Sequence, residues 1–269
     1  MSKNATFRQY IDQMKFKLPE EFPNAKYVVI FALENKLAKA NFQYQGKQHE
    51  IMISPGYYRT GITNDDLLNL IRNEIIKNDS YRIERARAIH LKLLAVRSGL
   101  ARYGKNNISY VDGFGSFLAL YAYYTDFDFK QSKLYEKKFL DQCTNCKICL
   151  NKCPTKAITE ENLVIDVGNC VTLYNEIEKD FPEWLDPSAH NALFGCMRCQ
   201  MYCPANKDGM NDILRFQDVT EEETTMLLEG RKDEELVKSL SEKLNIFTIE
   251  TYDDYLPIIK RNLEVLLNQ

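Results

Sequence analysis

The eight cysteines of this 269-residue chain all lie between Cys143 and Cys203, and none occurs in the 142 residues before them or the 66 after them. Eight cysteines are few for a disulfide scaffold of this length. Clustered cysteines in a chain whose thiols stay reduced are typical of metal sites or of redox catalysis. The sequence therefore predicts that its chemistry is concentrated in one central segment.

The first run of cysteines has the spacing C-x2-C-x2-C-x3-C-P and consists of Cys143, Cys146, Cys149 and Cys153, followed by Pro154. Bacterial ferredoxins use this spacing to bind [4Fe–4S] cubes: three cysteines bind one cube, and the fourth binds a second cube. A zinc site needs four ligands around one ion, commonly from two separated C-x2-C pairs. The run therefore favours iron–sulfur clusters over zinc.

The second run, Cys196, Cys199 and Cys203 before a proline, is the same pattern without its first cysteine, and Cys170 is left over. Two cubes need eight ligands, and all eight cysteines are used if Cys170 takes the place of the missing first cysteine of the second run. The alternative is that Cys170 is a small buried side chain. In the first scheme cluster one is bound by Cys143, Cys146, Cys149 and Cys203, and cluster two by Cys153, Cys170, Cys196 and Cys199.

The segments around the cysteines predict an α+β protein with three parts. Strands mixed with helices predict an N-terminal α/β domain at 1–135 that holds a cofactor or substrate. A ferredoxin-like domain with two clusters would span 136–210, and a short helical cap would span 211–269. Residues 39–54 alternate around Gln45-Gly46 and predict a β-hairpin, and a helix is predicted from about Ile83 to Arg97.

Composition limits the partners and the location. The chain has 35 basic and 38 acidic residues, a formal net charge of −3. It lacks the basic excess of a protein that wraps nucleic acid, so we expect no nucleic-acid partner. The longest apolar run is much shorter than the roughly 18 residues of a membrane span, and the first residues do not resemble a secretory signal. We therefore expect a cytoplasmic protein with no membrane partner.

A glycine-containing segment before the cysteines is a candidate cofactor site. Between Arg82 and Lys105 the chain has seven basic residues and one acidic residue. Gly99 and Gly104 allow a ligand to approach the backbone closely, and Lys105 and Asn106 can meet phosphate or amide groups. We predict that these four residues bind a cofactor. The alternatives are a docking face for an acidic electron donor and a helix end with a solvated basic face.

The two cysteine runs, with Ser98-Gly99-Leu100 and Gly104-Lys105-Asn106 before them, resemble the iron–sulfur half of epoxyqueuosine reductases. Reductive dehalogenases have a related arrangement. The resemblance covers about residues 90 to 205 and implies a cobalamin held over cluster one by the N-terminal domain. It also implies that an external donor of the flavodoxin or ferredoxin type delivers electrons through cluster two to cluster one.

The chain also departs from that family. Where the family carries an acidic proton donor and a proline, this chain has Arg85 and Ala88, and Tyr103 replaces a tryptophan. The long C-terminal repeat domain that helps the family to bind tRNA has no counterpart in the about 60 residues after Pro204. We therefore expect a shorter relative that does not act on tRNA.

Two functions follow from these patterns. The first is a cobalamin-dependent reductase of a small molecule, with Tyr103 and Lys105 as candidate catalytic acids. The second is a non-enzymatic electron-transfer module that serves a partner such as a corrinoid protein. A concave N-terminal pocket next to cluster one would favour the enzyme, because a carrier needs no pocket and only a cluster edge near the surface.

Overall fold

The computed structural model describes residues 4–12, 18–87, 89–130, 133–160 and 164–269. The fold mixes helices and strands, as the sequence predicts. The strands are β1 (Tyr27–Glu34), β2 (Ala38–Tyr44), β3 (Lys47–Ile53), β4 (Ile83–Arg85), β5 (Arg102–Tyr103), β6 (Ser109–Tyr110), β7 (Leu118–Thr125) and β8 (Leu214–Arg215). The α-helices are α1 (Ala5–Asp12), α2 (Asn64–Leu70), α3 (Leu91–Arg97), α4 (Ile148–Lys152), α5 (Val171–Asn175), α6 (Arg198–Met201), α7 (Glu221–Glu229), α8 (Glu234–Leu244) and α9 (Tyr252–Leu267).

An antiparallel sheet in the order β1-β7-β4 supports the N-terminal part. The single helix predicted from Ile83 to Arg97 is wrong in its first half, where the chain forms β4 instead. Ile83 is 5% exposed and packs in one apolar cluster with Leu67 and Tyr123, while its backbone pairs with β7. This non-local pairing overrides the local helical pattern, so α3 begins only at Leu91.

The predicted hairpin around Gln45-Gly46 is confirmed as β2 and β3. Both turn residues have positive φ, 51° and 70°, as a two-residue turn between right-twisted strands requires. The strand β8 pairs in parallel with β2 and so brings the C-terminal segment to this hairpin. The division into parts at 135 and 210 remains a prediction, because the largest apolar core contains residues of all three segments.

The C-terminal helices cover the hairpin and contact the cysteine-bearing segment. Thr220 and Glu223 form a capping box at the start of α7, and Gly230 ends this helix with a φ of 78°. The buried side chain of Asn262 on α9 donates hydrogen bonds to the carbonyl oxygens of Asn175, at 3.0 Å, and Leu193, at 2.7 Å. The last helix therefore braces the loops that carry the second cysteine run.

Replacing Asn262 tests this brace. Asn262→Ala leaves two buried carbonyl groups without their donor, which we expect to lower the free energy of unfolding by about 2 kcal/mol. Urea unfolding of the anaerobic protein measures the change. Asn268→Ala, which removes an exposed amide bonded only to its own helix, is the control. Equal unfolding midpoints for the two variants would contradict a bracing role.

Candidate functional site

The eight thiols divide into two groups of four. A small space is lined by Cys143, Cys146, Cys149 and Cys203, together with the segment Gly104–Asn106. The other four, Cys153, Cys170, Cys196 and Cys199, line a separate and larger cavity. The short helices α4 and α6 pack against each other. The first ends at Lys152, directly before Cys153, and the second ends at Met201, two residues before Cys203. This packing lets Cys153 and Cys203 cross to the opposite group.

Electrostatic interactions among the thiols follow this division in the main, although Cys149 of the first group also acts on Cys199 of the second. Burial and the charges of Cys143, Cys146 and Cys203 together raise the pKa of Cys149 to about 11. Burial raises the pKa of Cys199, and Cys196 and Cys170 add to this. Thiols placed this way fit clusters whose iron atoms bind thiolate, because the metal removes the cost of holding the negative charges together. Among the residues that the structure describes, no three His, Cys, Asp or Glu side chains converge on one point for a single ion.

A cavity of about 640 Å³ lies between the N-terminal sheet and the cluster-two thiols. The loop Ser54–Tyr57 and the first half of β7, Leu118–Tyr121, also line it. The volume is in the range of sites that hold cofactors or substrates. This cavity adjoins the cluster-two thiols, and the expectation that a cofactor adjoins cluster one stays a prediction. The sheet packs over the side of the ferredoxin-like segment that carries Cys170, an arrangement set by tertiary packing and not by the order of the motifs.

The wall of this cavity is positively charged. Arg85, Lys92 and Arg198 reach it, and none of its described lining residues is Asp or Glu. The guanidinium of Arg85 lies 5.5 Å from the ring centre of Tyr121. A cavity with cations and no carboxylate favours ligands that carry negative charge.

A carboxyl group lies behind the wall. The hydroxyl of Tyr57, which lines the cavity, donates a hydrogen bond to Glu176, and the Tyr57 ring stacks on Phe194 at 5.5 Å between centroids. Burial raises the pKa of Glu176 to about 7. Tyr57 therefore separates the carboxyl group of Glu176 from the cavity. These two residues are 119 positions apart, and no sequence signal connected them.

The glycine segment lies against the clusters more than against the cavity. A Cβ on Gly99, whose φ is 82°, would meet the ring of Tyr135 at 3.0 Å, and one on Gly104 would meet Asn106 and Tyr110 at 2.5 Å. Burial raises the pKa of Cys143, and a hydrogen bond from the backbone N–H of Lys105 to its sulfur partly offsets this rise. Gly104 packs closely beside the cluster-one space and Gly99 packs against Tyr135, and only Asn106 of the four predicted cofactor ligands lines the large cavity.

The two candidate acids do not line the large cavity. Tyr103 lies in β5, where its half-buried ring packs 6.2 Å from that of Phe139, and Lys105 borders the cluster-one space. Their positions follow from the turn between β5 and β6, which wraps the cluster-one thiols. The sequence missed Lys92 as an individual residue, although it lies in the basic stretch that we singled out.

A polar bridge joins the two thiol groups. The buried amide of Asn106 donates to the hydroxyl of Tyr110 at 2.9 Å and also hydrogen-bonds Cys199 of the second group. Tyr110 in turn hydrogen-bonds Cys203 of the first group, and burial raises the pKa of its hydroxyl. Hydrogen bonds to sulfur are among the features that set cluster potentials.

Two crossed groups of four thiols beneath an α+β domain define an iron–sulfur protein of the double-cluster class. Residues 142–206 match the family described as the 4Fe-4S double cluster binding domain, which binds two [4Fe–4S] clusters. By sequence and fold the chain is similar to epoxyqueuosine reductases, as the resemblance implied.

Individual comparisons support this assignment. The epoxyqueuosine reductase of Bacillus cereus is 28% identical over 198 residues, which are 69% of this chain and 49% of that protein. This chain therefore spans about half the length of the curated relatives it matches. The structure of the Streptococcus thermophilus epoxyqueuosine reductase matches with a TM-score of 0.64 at 17% identity, over 96% of this chain and 68% of the other.

One comparison corrects the expected partners. An epoxyqueuosine reductase crystallised with an epoxyqueuosine-modified tRNA-Tyr stem loop has the same fold, with a TM-score of 0.57 at 20% identity over 92% of this chain and 65% of the other. The expectation of no nucleic-acid partner is therefore wrong. It rested on net charge, which sums the whole surface, whereas recognition depends on where individual cations lie. Separately, no described helix has the length and apolar character to cross a membrane.

Proposed function

We propose that this chain is an oxidoreductase that passes electrons through two [4Fe–4S] clusters to a cobalamin and a substrate in the large cavity. The observation that carries the proposal is the cavity of about 640 Å³ between the sheet and the cluster-two thiols. A simple electron carrier has no use for such a cavity, so this alternative is less well supported. We also propose a cytoplasmic location, where thiols remain reduced.

All eight cysteines are cluster ligands in this proposal. Cluster one uses the thiols around the small space, and cluster two uses those on the cavity wall. Electrons then enter at cluster one and leave from cluster two, the reverse of the order that the resemblance implied. The reversal is supported by the contact of the cavity with Cys153, Cys170, Cys196 and Cys199 and by the separate position of the first group.

The cavity wall fits a broad cofactor with apolar faces and amide edges. Leu118, Leu120, Ile158 and Val171 are apolar residues of the lining, and Ser109, Ser116 and Gln200 are polar residues of it. When bound, cobalamin would supply a cobalt centre that accepts single electrons. Residues of this chain would orient the substrate and exclude water around it.

The substrate that we propose carries negative charge. Arg85 occupies the position of the family's acidic proton donor and contributes a cation to the cavity wall. Phosphate-rich RNA suits such a wall, and a modified tRNA of the kind bound by the relative is the first candidate to test. A small anionic molecule is the second candidate.

Metal and corrinoid content test the proposal. Anaerobic protein incubated with hydroxocobalamin and freed of excess should hold about eight irons and about one cobalt per chain, with no zinc. Ala119→Trp, which fills the cavity from β7, should lose the cobalt and keep the iron. Val28→Trp, on an exposed site of the neighbouring strand β1, should keep both. Full iron without cobalt in the natural chain would favour the electron carrier instead.

A further inference from the structure

Lys92 is a cation beside cluster two for which the proposed function assigns no task. It lies in the first turn of α3 and lines the large cavity together with Cys170 and Cys199. Its ammonium donates a hydrogen bond to the carbonyl oxygen of Asn107 at 3.1 Å. This bond holds the charge close to the cluster-two thiols, although the side chain itself is long and flexible.

The other cavity cations are held elsewhere. The Arg85 guanidinium lies over Tyr121 on the sheet side, and that of Arg198 reaches the carbonyl oxygen of Ser188 at 3.5 Å. Burial lowers the pKa of the Lys92 ammonium, and the charges of Cys170 and Cys199 act to raise it. A cluster with its full set of thiolates therefore favours the charged form of Lys92.

The surroundings of cluster one differ. Lys105 is the cation near Cys143, but its charge also acts on Glu160, which pairs with Lys147 at 2.6 Å on the surface. The carboxylate of Glu160 offsets part of the effect of Lys105 on the cluster. The described lining of the large cavity contains no Asp or Glu, so no carboxylate there offsets the charge of Lys92 on the nearby thiols.

We propose that Lys92 raises the reduction potential of cluster two and so makes the cluster beside the cavity the favoured place for an electron that enters at cluster one. Reduction adds one negative charge to a cluster, and a fixed cation stabilises that added charge. In the step, reduced cluster one loses one electron and cluster two gains it. No bond forms or breaks, and no proton is transferred.

This inference rests on the electron path of the proposed function, but it concerns a property that needs neither corrinoid nor substrate. The experiment is a redox titration of the anaerobic full-length protein with dithionite and mediators, followed by EPR. In Lys92→Met we expect the midpoint potential of cluster two to fall while that of cluster one stays constant. The one-electron equilibrium between the clusters should shift about tenfold, or ~59 mV. Lys92→Arg should retain most of the natural potential.

Lys105→Met is the matched control and should leave the potential of cluster two unchanged. Lys92→Gln provides a second neutral variant if Lys92→Met assembles its clusters poorly, and iron content identifies that case. An unchanged potential of cluster two in the neutral variant would overturn the proposal. Equal shifts of both clusters would also overturn it, since they indicate general loosening. Failure of cobalamin to bind would count against the proposed function alone, because the titration contains no corrinoid.

Discussion

Cys203→Ala should remove cluster one, and Cys153→Ala should remove cluster two, although each of these cysteines belongs by sequence to the other run. The reason is the crossed arrangement of thiols: Cys203 lines the small space with the first run, and Cys153 lines the large cavity with the second. Each variant should retain about four of the eight irons. Iron analysis and EPR of the reduced protein measure the loss.

Two further variants identify which signal is lost. Cys146→Ala should lose the same EPR signal as Cys203→Ala, and Cys170→Ala the same signal as Cys153→Ala. Loss of the same EPR signal in Cys146→Ala and Cys153→Ala would contradict the crossed arrangement and indicate that each run binds its own cube. Retention of both clusters in Cys170→Ala would return this residue to the role of a small buried side chain.

Glu176→Gln should make the protein more stable at pH 8 and change its pH dependence. The pKa of Glu176 rises from 4.5 to about 7 in the folded state because the carboxyl group is buried. At pH values between 4.5 and about 7, the Glu176 carboxyl group is deprotonated in the unfolded chain but protonated in the folded chain. The free energy of unfolding of the natural protein therefore falls as pH rises through this interval, by about 3 kcal/mol in total.

The glutamine variant lacks this loss, because its amide has no proton to release. Its advantage over the natural chain should grow from pH 5 to pH 7 and then stay constant. Urea unfolding of the anaerobic protein across this pH range measures the difference. Glu178→Gln, at an exposed position of the same segment, is the control. Parallel stability curves for the natural chain and Glu176→Gln would contradict an elevated pKa at this site.

The effect of Glu176 depends on groups that pack around it. Tyr57 contacts it from the cavity side, and the Arg261 guanidinium on α9 bonds the backbone carbonyls of Tyr174 and Ile177 in the same segment. Burial is the cause of the raised pKa of Glu176. The predicted pH dependence is therefore a consequence of how the C-terminal helix closes over the cluster-bearing loops.

Local patterns in the sequence were enough to predict the class of protein. The C-x2-C-x2-C-x3-C-P run indicated iron–sulfur clusters because thiol spacing along a loop limits which metal centres the loop can wrap. The turn at Gln45-Gly46 indicated a hairpin because its backbone needs positive φ at both positions. These features depend on residues close together in the chain, where sequence determines geometry directly.

Only the tertiary structure decided what surrounds each cluster. Pairing with β7 turned residues 83–85 into a strand, and packing of the sheet put the cavity beside cluster two. The same packing brought Tyr57 to Glu176 and Lys92 to Cys170. Such contacts join residues tens of positions apart, and their geometry is set by the burial of apolar surface across the whole chain, which no local spacing encodes.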